Sequence, residues 1–204
     1  MSTAQPPIAT ALSRGPAPSF GELAARYLEE YLAKIRFTVE RLPAERLWWR
    51  PAPETDPRGE PTASPDDVER STGSPGGRGI NSAGNLLLHL CGNLSFWLLA
   101  GVGGESYARD RAGEFAADGG ADAPELLARL AGVVERCAAL LRSLRDEDLA
   151  APRHIQGYDT DVRGAVFHAV EHMSYHTGQF LYLLKQSLAP GAERVELYPQ
   201  HRRE

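Results

Sequence analysis

The chain has 204 residues, 42% hydrophobic and 24% charged, with a formal net charge of -5. That length supports one domain with a buried core and is too short for two ordinary ones, and the mildly acidic balance gives no electrostatic reason to expect nucleic acid or an anionic membrane as partner. Its two cysteines, Cys91 and Cys137, fall within helical patterns and not in CxxC pairs, so neither a disulfide framework nor a thiolate zinc cluster is expected, and both read as small core residues.

Residues 1–18 are rich in Ala, Pro and Ser and are expected to form a disordered tail. They lack the basic start and apolar core of a signal peptide, and no run in the chain approaches the roughly 18 apolar residues of a membrane span, so a cytoplasmic location is expected. The domain is expected over 19–188. Ser19 followed by Glu22 reads as a capping signature, and Leu28, Leu32, Ile35, Val39 and Leu42 then recur at spacings of four and three, predicting a first helix over 20–42, ended by Pro43. A short turn follows with Trp48 and Trp49 beside the domain body. Residues 51–79, rich in Pro, Gly and polar side chains, predict a long mobile loop.

Asn81 and Ser82 are cap candidates before Leu87, Leu90, Leu94 and Trp97 or Leu98, which predict a second helix over 82–100. Gly101, Gly103 and Gly104 stop it, and a polar connection containing Arg109, Asp110, Arg111 and Glu114 follows. That segment could close over one end of the domain, although a solvated loop is the plainer reading. Asp122, Pro124 and Glu125 then open a third helix over 123–144, with its seam at Leu126, Leu130, Val133, Cys137, Leu140 and Leu144. After a loop containing Pro152 and Gly157, Asp159, Thr160 or Asp161 caps a fourth helix that holds Val166, Val170, Met173, Phe180 and Leu184 toward the core and ends near Ser187. Residues 189–204 form a tail in which His201 reads as solvent-exposed. Four amphipathic helices and no convincing period-two segment predict an all-α four-helix bundle with long inter-helix loops.

The chemistry concentrates in the fourth helix. His168, His172 and His176 lie four residues apart, and since a step of four advances about 40° beyond a full turn, their rings share one face. Residues eight apart stand about 12 Å apart along the axis, too far for one ion, so a pair from this helix needs a third ligand from elsewhere. His89 is the other histidine inside a strongly apolar helical pattern. A divalent metal site between the second and fourth helices follows; each of these histidines taken singly could instead be a hydrogen-bonded core residue. Neutral imidazole suits zinc or nickel first, with iron or copper as further options.

The stretches NSAGNLLLHLCGNLSFW and HAVEHMSYHTGQF, with LPAERLWWRP and SYARDRAGEF, resemble the DinB/YfiT-like family of metal-dependent proteins, in particular a DinB-related branch without assigned function; the likeness covers about 20–188. The resemblance implies a four-helix bundle with one ligand on the second helix, matched by His89, and an HxxxH pair followed by GQ on the fourth, matched by His172, His176, Gly178 and Gln179. His168 matches no ligand position and is expected beside the site. The loop over 51–79 is longer than the resemblance calls for. Asn85, Asn93, Glu171, Tyr175 and Gln179 neighbour the ligands and are candidates to support them, Glu171 being as readily a solvated charge, and Trp97 and Phe96 read as core rather than as a substrate platform.

An open three-histidine site suits a metal-dependent hydrolase or a transferase of low-molecular-weight thiols acting on a small molecule. The resemblance implies the thiol option, because characterised relatives include transferases and an isomerase that use such thiols, and it also implies a possible homodimer. The alternative is a non-catalytic metal-binding or stress-linked interaction protein, in which His168 would close the site as a fourth ligand.

Overall fold

The computed structural model describes residues 17–50 and 81–188. The expected loop over 51–79, the C-terminal tail with His201 and all but the last two residues of the expected N-terminal tail lie outside the described residues. Within them the chain is mostly helical: α1 (Phe20–Val39), α2 (Ala83–Leu94, continued by a π-helical stretch Ser95–Ala100), α3 (Arg111–Ala116), α4 (Ala123–Ser143) and α5 (Val162–Ser187). A two-stranded antiparallel hairpin, β1 (Pro152–Ile155) and β2 (Tyr158–Asp161), precedes α5.

Each long helix starts where its polar cap dictates. The Ser19 hydroxyl accepts from the Glu22 amide at 3.1 Å, Ser82 and Asn85 form a reciprocal capping box, and Asp122 and Asp161 accept from the Glu125 and Gly164 amides. The first helix stops at Val39, short of the expected residue 42, because Pro43 disfavours helical geometry in the residue before it; Arg41 and Leu42 close instead in tighter i→i−3 turns onto Thr38 and Val39.

α2 lies at the centre of the core, with Leu86, Leu87, Leu90, Leu94 and Leu98 each fully buried. Contrary to the expectation that no run approaches a membrane span, Ala83–Ala100, alone among the described residues, is long and apolar enough to cross one, but most of it is covered by the other helices, as in the central helix of a packed core. α1 packs on α4 and α5, and α2 packs on α3, α4 and α5. The seam of α4 drifts from the expected one. Leu126, Leu130 and Cys137 are buried as expected, whereas Leu127, Val134, Ala138 and Leu141 replace Val133, Leu140 and Leu144, which are only half-buried. A period of 3.6 falls behind a repeat of 3.5 by roughly 20° per heptad, about 60° over this helix, which turns the buried stripe toward the following residue.

Two further features differ from expectation. The last turn and a half of the second helix is π-helical, with Gly101 N–H donating to Phe96 and Gly103 N–H to Leu98, five residues back. The expected loop before the fourth helix contains the hairpin, whose two-residue turn, Gln156–Gly157, takes positive φ at both positions (55° and 82°), as hairpin geometry demands. Ile155 alone is buried in it, lying over Gly101 of the π-helical end, where an added Cβ would come within 2.5 Å of its Cδ1.

Candidate metal centre

α2 contributes His89 and α5 contributes His172 and His176, and the three rings meet between the helices. His89 and His176 are 5% and 6% exposed. Their Nε2 atoms lie 3.1 Å and 3.2 Å from that of His172, and the three candidate ligand nitrogens all fall within 4.8 Å of one another. Nitrogens bound at about 2.0–2.1 Å in a tetrahedral shell stand roughly 3.3 Å apart. The spacing therefore fits one cation held by three Nε2 atoms.

The outer nitrogens decide the tautomers. Nδ1 of His89 lies 2.9 Å from Glu114 Oε2, and Nδ1 of His176 lies 2.7 Å from Gln179 Oε1, both acceptors, so each Nδ1 carries the proton and each Nε2 presents a lone pair to the centre. Arg109 Nη2 is 3.2 Å from the same Nδ1 of His89, but two donors cannot bond each other, and its hydrogens go to the carboxylate. Two lone pairs thus point at His172 Nε2, and with His172 in the same tautomer the three nitrogens could hold one metal ion. His172 differs from the other two: its Nδ1 is buried without a partner among the described residues.

Burial keeps these imidazoles neutral. It drives the pKa of His172 down to about 2 and that of His176 to about 4, the neighbouring imidazoles adding to the effect, and it lowers His89 and His168 as well, against the opposing pull of Glu114 on His89. Glu114 is the reverse case: burial would raise its pKa, but the bonds from Arg109 and His89 hold it below the usual carboxylate range, so it is ionised. Cys91 and Cys137 are pushed up to about 12 by burial and are protonated core thiols.

The plainer reading of the 109–114 segment as a solvated loop is corrected here. Arg109 and Glu114 have side chains only 6% and 9% exposed, and they form a two-bond pair, Nε to Oε1 and Nη2 to Oε2, each 2.8 Å. Asp110 caps α3 by accepting from the Gly113 amide, which sets Glu114 against His89 and puts the Phe115 ring 4.7 Å from the same imidazole. Gly92 makes room, since a Cβ there would run into Glu114 Oε1. Asn85 holds the segment from behind, its Nδ2 donating to the carbonyls of Glu114 (3.0 Å) and Ala117 (2.7 Å), while Arg50 Nη2 donates to Asn85 Oδ1 and to the Phe115 carbonyl. The Asp110–Gly113 cap followed by Phe115 was the legible signal for this short helix; nothing in the sequence shows that its acid faces inward.

The remaining candidates divide by position. His168 is half-buried, its ring 4.0 Å from that of Trp97 and 5.6 Å from that of His172, and it is not part of the nitrogen triangle. Asn93 is 3% exposed in the cavity wall, and its Oδ1 has no partner among the described residues. Gln179 bonds His176. Glu171 is exposed and makes no hydrogen bond to the imidazoles. Phe96 packs on the core, and Trp97 both packs there and donates from Nε1 to Gln156 Oε1 at 3.1 Å, which joins the hairpin to the site. The hairpin's part in the wall, through Gln156 and Tyr158, was not anticipated. Asn93, Trp97, Gln156, Tyr158, His168 and Gln179 line an open cavity of about 650 Å³ with the three imidazoles in its wall, within the range of small-molecule sites.

No curated protein matches the chain. A family model of the DinB superfamily matches residues 27–180, a span that runs from α1 to α5 and includes all three converging histidines. The chain belongs to the DinB superfamily.

Proposed function

We propose that this chain is a metal-dependent enzyme acting on a small molecule, with His89, His172 and His176 as ligands of a divalent cation, zinc or nickel first and iron or copper as alternatives. The observation that carries the reading is the convergence of three neutral imidazoles at a cavity of substrate size. A cation bound there acidifies a water or thiol and polarises a substrate oxygen, which serves hydrolysis or transfer of a low-molecular-weight thiol.

The chain's own residues supply the rest. Glu114 and Gln179 fix the tautomers and ring planes of His89 and His176. His168, neutral and set against Trp97, is the wall group able to take a proton from an incoming nucleophile. Both cysteines are buried and protonated, so the nucleophile comes from solvent or from a cosubstrate. On the same reading the four long helices form a bundle of the DinB/YfiT-like type, and the protein works in the cytoplasm, as a homodimer, with neither nucleic acid nor membrane as partner.

Elemental analysis of the purified protein tests the first step: about one divalent ion per chain, lost in His172→Ala, is expected. A panel of hydrolytic and thiol-transfer reactions with that metal tests the second. Protein without stoichiometric metal, unchanged in melting temperature by His172→Ala, defeats the metal reading. Bound metal without turnover across the panel favours the non-catalytic, stress-linked alternative.

A further inference from the structure

Two guanidinium groups stand in the cavity wall, and they are employed differently. Arg109 is committed to Glu114 through Nε and Nη2, so its charge is cancelled from behind and its Nη1 is buried without an acceptor among the described residues. Arg111, the first residue of α3, is half-buried with its guanidinium 5.0 Å from the centroid of the Phe115 ring, and no carboxylate pairs with it among the described residues. Phe115 in turn lies against His89, so Arg111 is anchored beside the imidazole cluster. The acid that lines the same cavity, Asp159, has a side chain 95% exposed and is engaged with His154 Nδ1 at 2.7 Å.

The protein as a whole is acidic, with a formal charge of -5. Its net charge therefore disfavours anions, and an arginine with no carboxylate partner among the described residues, set in a substrate-sized cavity, reverses that field locally. Guanidinium matches the two oxygens of a carboxylate or phosphate and is more weakly hydrated than an ammonium, so a half-buried, ring-stacked arginine without an acid partner suits an oxyanion.

We propose that the cavity takes a small substrate bearing a carboxylate or phosphate group, held by Arg111, with its reacting atom at the three imidazoles. This rests on the metal-dependent reading of the same cavity and names its substrate class.

The test is calorimetric titration of the zinc-loaded full chain, and of the metal-free chain, with succinate and with inorganic phosphate at constant ionic strength, and with uncharged succinamide as control. At least one of the two anions should bind and the diamide should bind about tenfold or more weaker, the anion that binds identifying which oxyanion the wall prefers. Arg111→Gln should weaken that anion about tenfold while leaving zinc content and melting temperature unchanged, and Arg111→Lys should recover part of the loss. The proposal is overturned if neither anion binds, if the diamide binds as well as the anion, or if Arg111→Gln binds as wild type does. Failure to take up zinc, nickel, iron or copper defeats the metal reading by itself, and the metal-free titrations then still decide whether Arg111 holds an anion.

Discussion

Gly92 lies three residues after His89 on a helix buried on nearly every side, and the side chain it lacks is the space into which the Glu114 carboxylate fits. Alanine in a helix interior normally stabilises relative to glycine by about 1 kcal/mol. Here the added Cβ and the carboxylate cannot coexist, so Glu114 must move, leaving Arg109 buried beside no counter-charge and His89 without its acceptor. Removing one partner of a buried pair costs roughly 3–5 kcal/mol, which outweighs the helix gain. Gly92→Ala is therefore expected to destabilise the protein by about 2–4 kcal/mol in denaturant titration and to weaken zinc binding about 10–100-fold. Gly132 on α4 gives the contrast, because nothing lies within 4 Å of its added Cβ. Gly132→Ala should gain up to about 1 kcal/mol, and a loss at Gly92 no different from the change at Gly132 would refute the account.

What is readable in the sequence and what is not separates by element. Helices signalled by a cap and sustained periodicity, such as α4 behind Asp122 and α5 behind Asp161, begin where their caps put them, because both signals are local. The convergence of His172 with His176 was legible for a similar reason, since HxxxH spacing brings two rings together on any helix. The hairpin had no such signal: its strands have four residues each and a single buried side chain, Ile155, so period-two alternation never develops. The π-helical end of α2 is likewise silent, its apolar residues fitting an ordinary helix equally well. These two unread elements depend on each other at Gly101. An alanine there would press on Ile155 Cδ1 and displace the hairpin that carries Gln156 against Trp97. Gly101→Ala is expected to cost about 1–3 kcal/mol by overpacking. Combined with Ile155→Ala, which removes the obstructing side-chain atoms and leaves only the Trp97 carbonyl near the new Cβ, the losses should fall short of additive by at least about 0.5 kcal/mol in a double-mutant cycle; full additivity would show that the two elements do not brace each other.

At the scale of the molecule, His89 and His172 meet although 83 residues apart in the chain, so an ion held between them would also cross-link the core. An ion that binds the native state alone stabilises it by about 2.7 kcal/mol at a hundredfold excess over its dissociation constant. For a chain of this size that corresponds to roughly 5–11 °C in melting temperature, reversed by a chelator. Acidity separates this contribution from the stability of the metal-free fold. The buried imidazoles have folded-state pKa values below the ordinary 6.5, His176 near 4 and His172 near 2. The unfolded chain therefore takes up protons that the fold refuses, and the metal-free protein keeps its full stability above pH 6.5 and loses it as pH falls below, by up to about 1.4 kcal/mol per pH unit for each such histidine. Within the fold His172 and His176 stay neutral to far lower pH and burial lowers His89 as well, so metal meets less proton competition than at free imidazoles. The metal-loaded and metal-free melting curves should both fall between pH 7 and 5.5 while the gap between them stays nearly constant. A gap that closes between pH 7 and 6 would mean that the ligands titrate like free imidazoles, and the desolvated, pre-formed centre would not be what holds the ion.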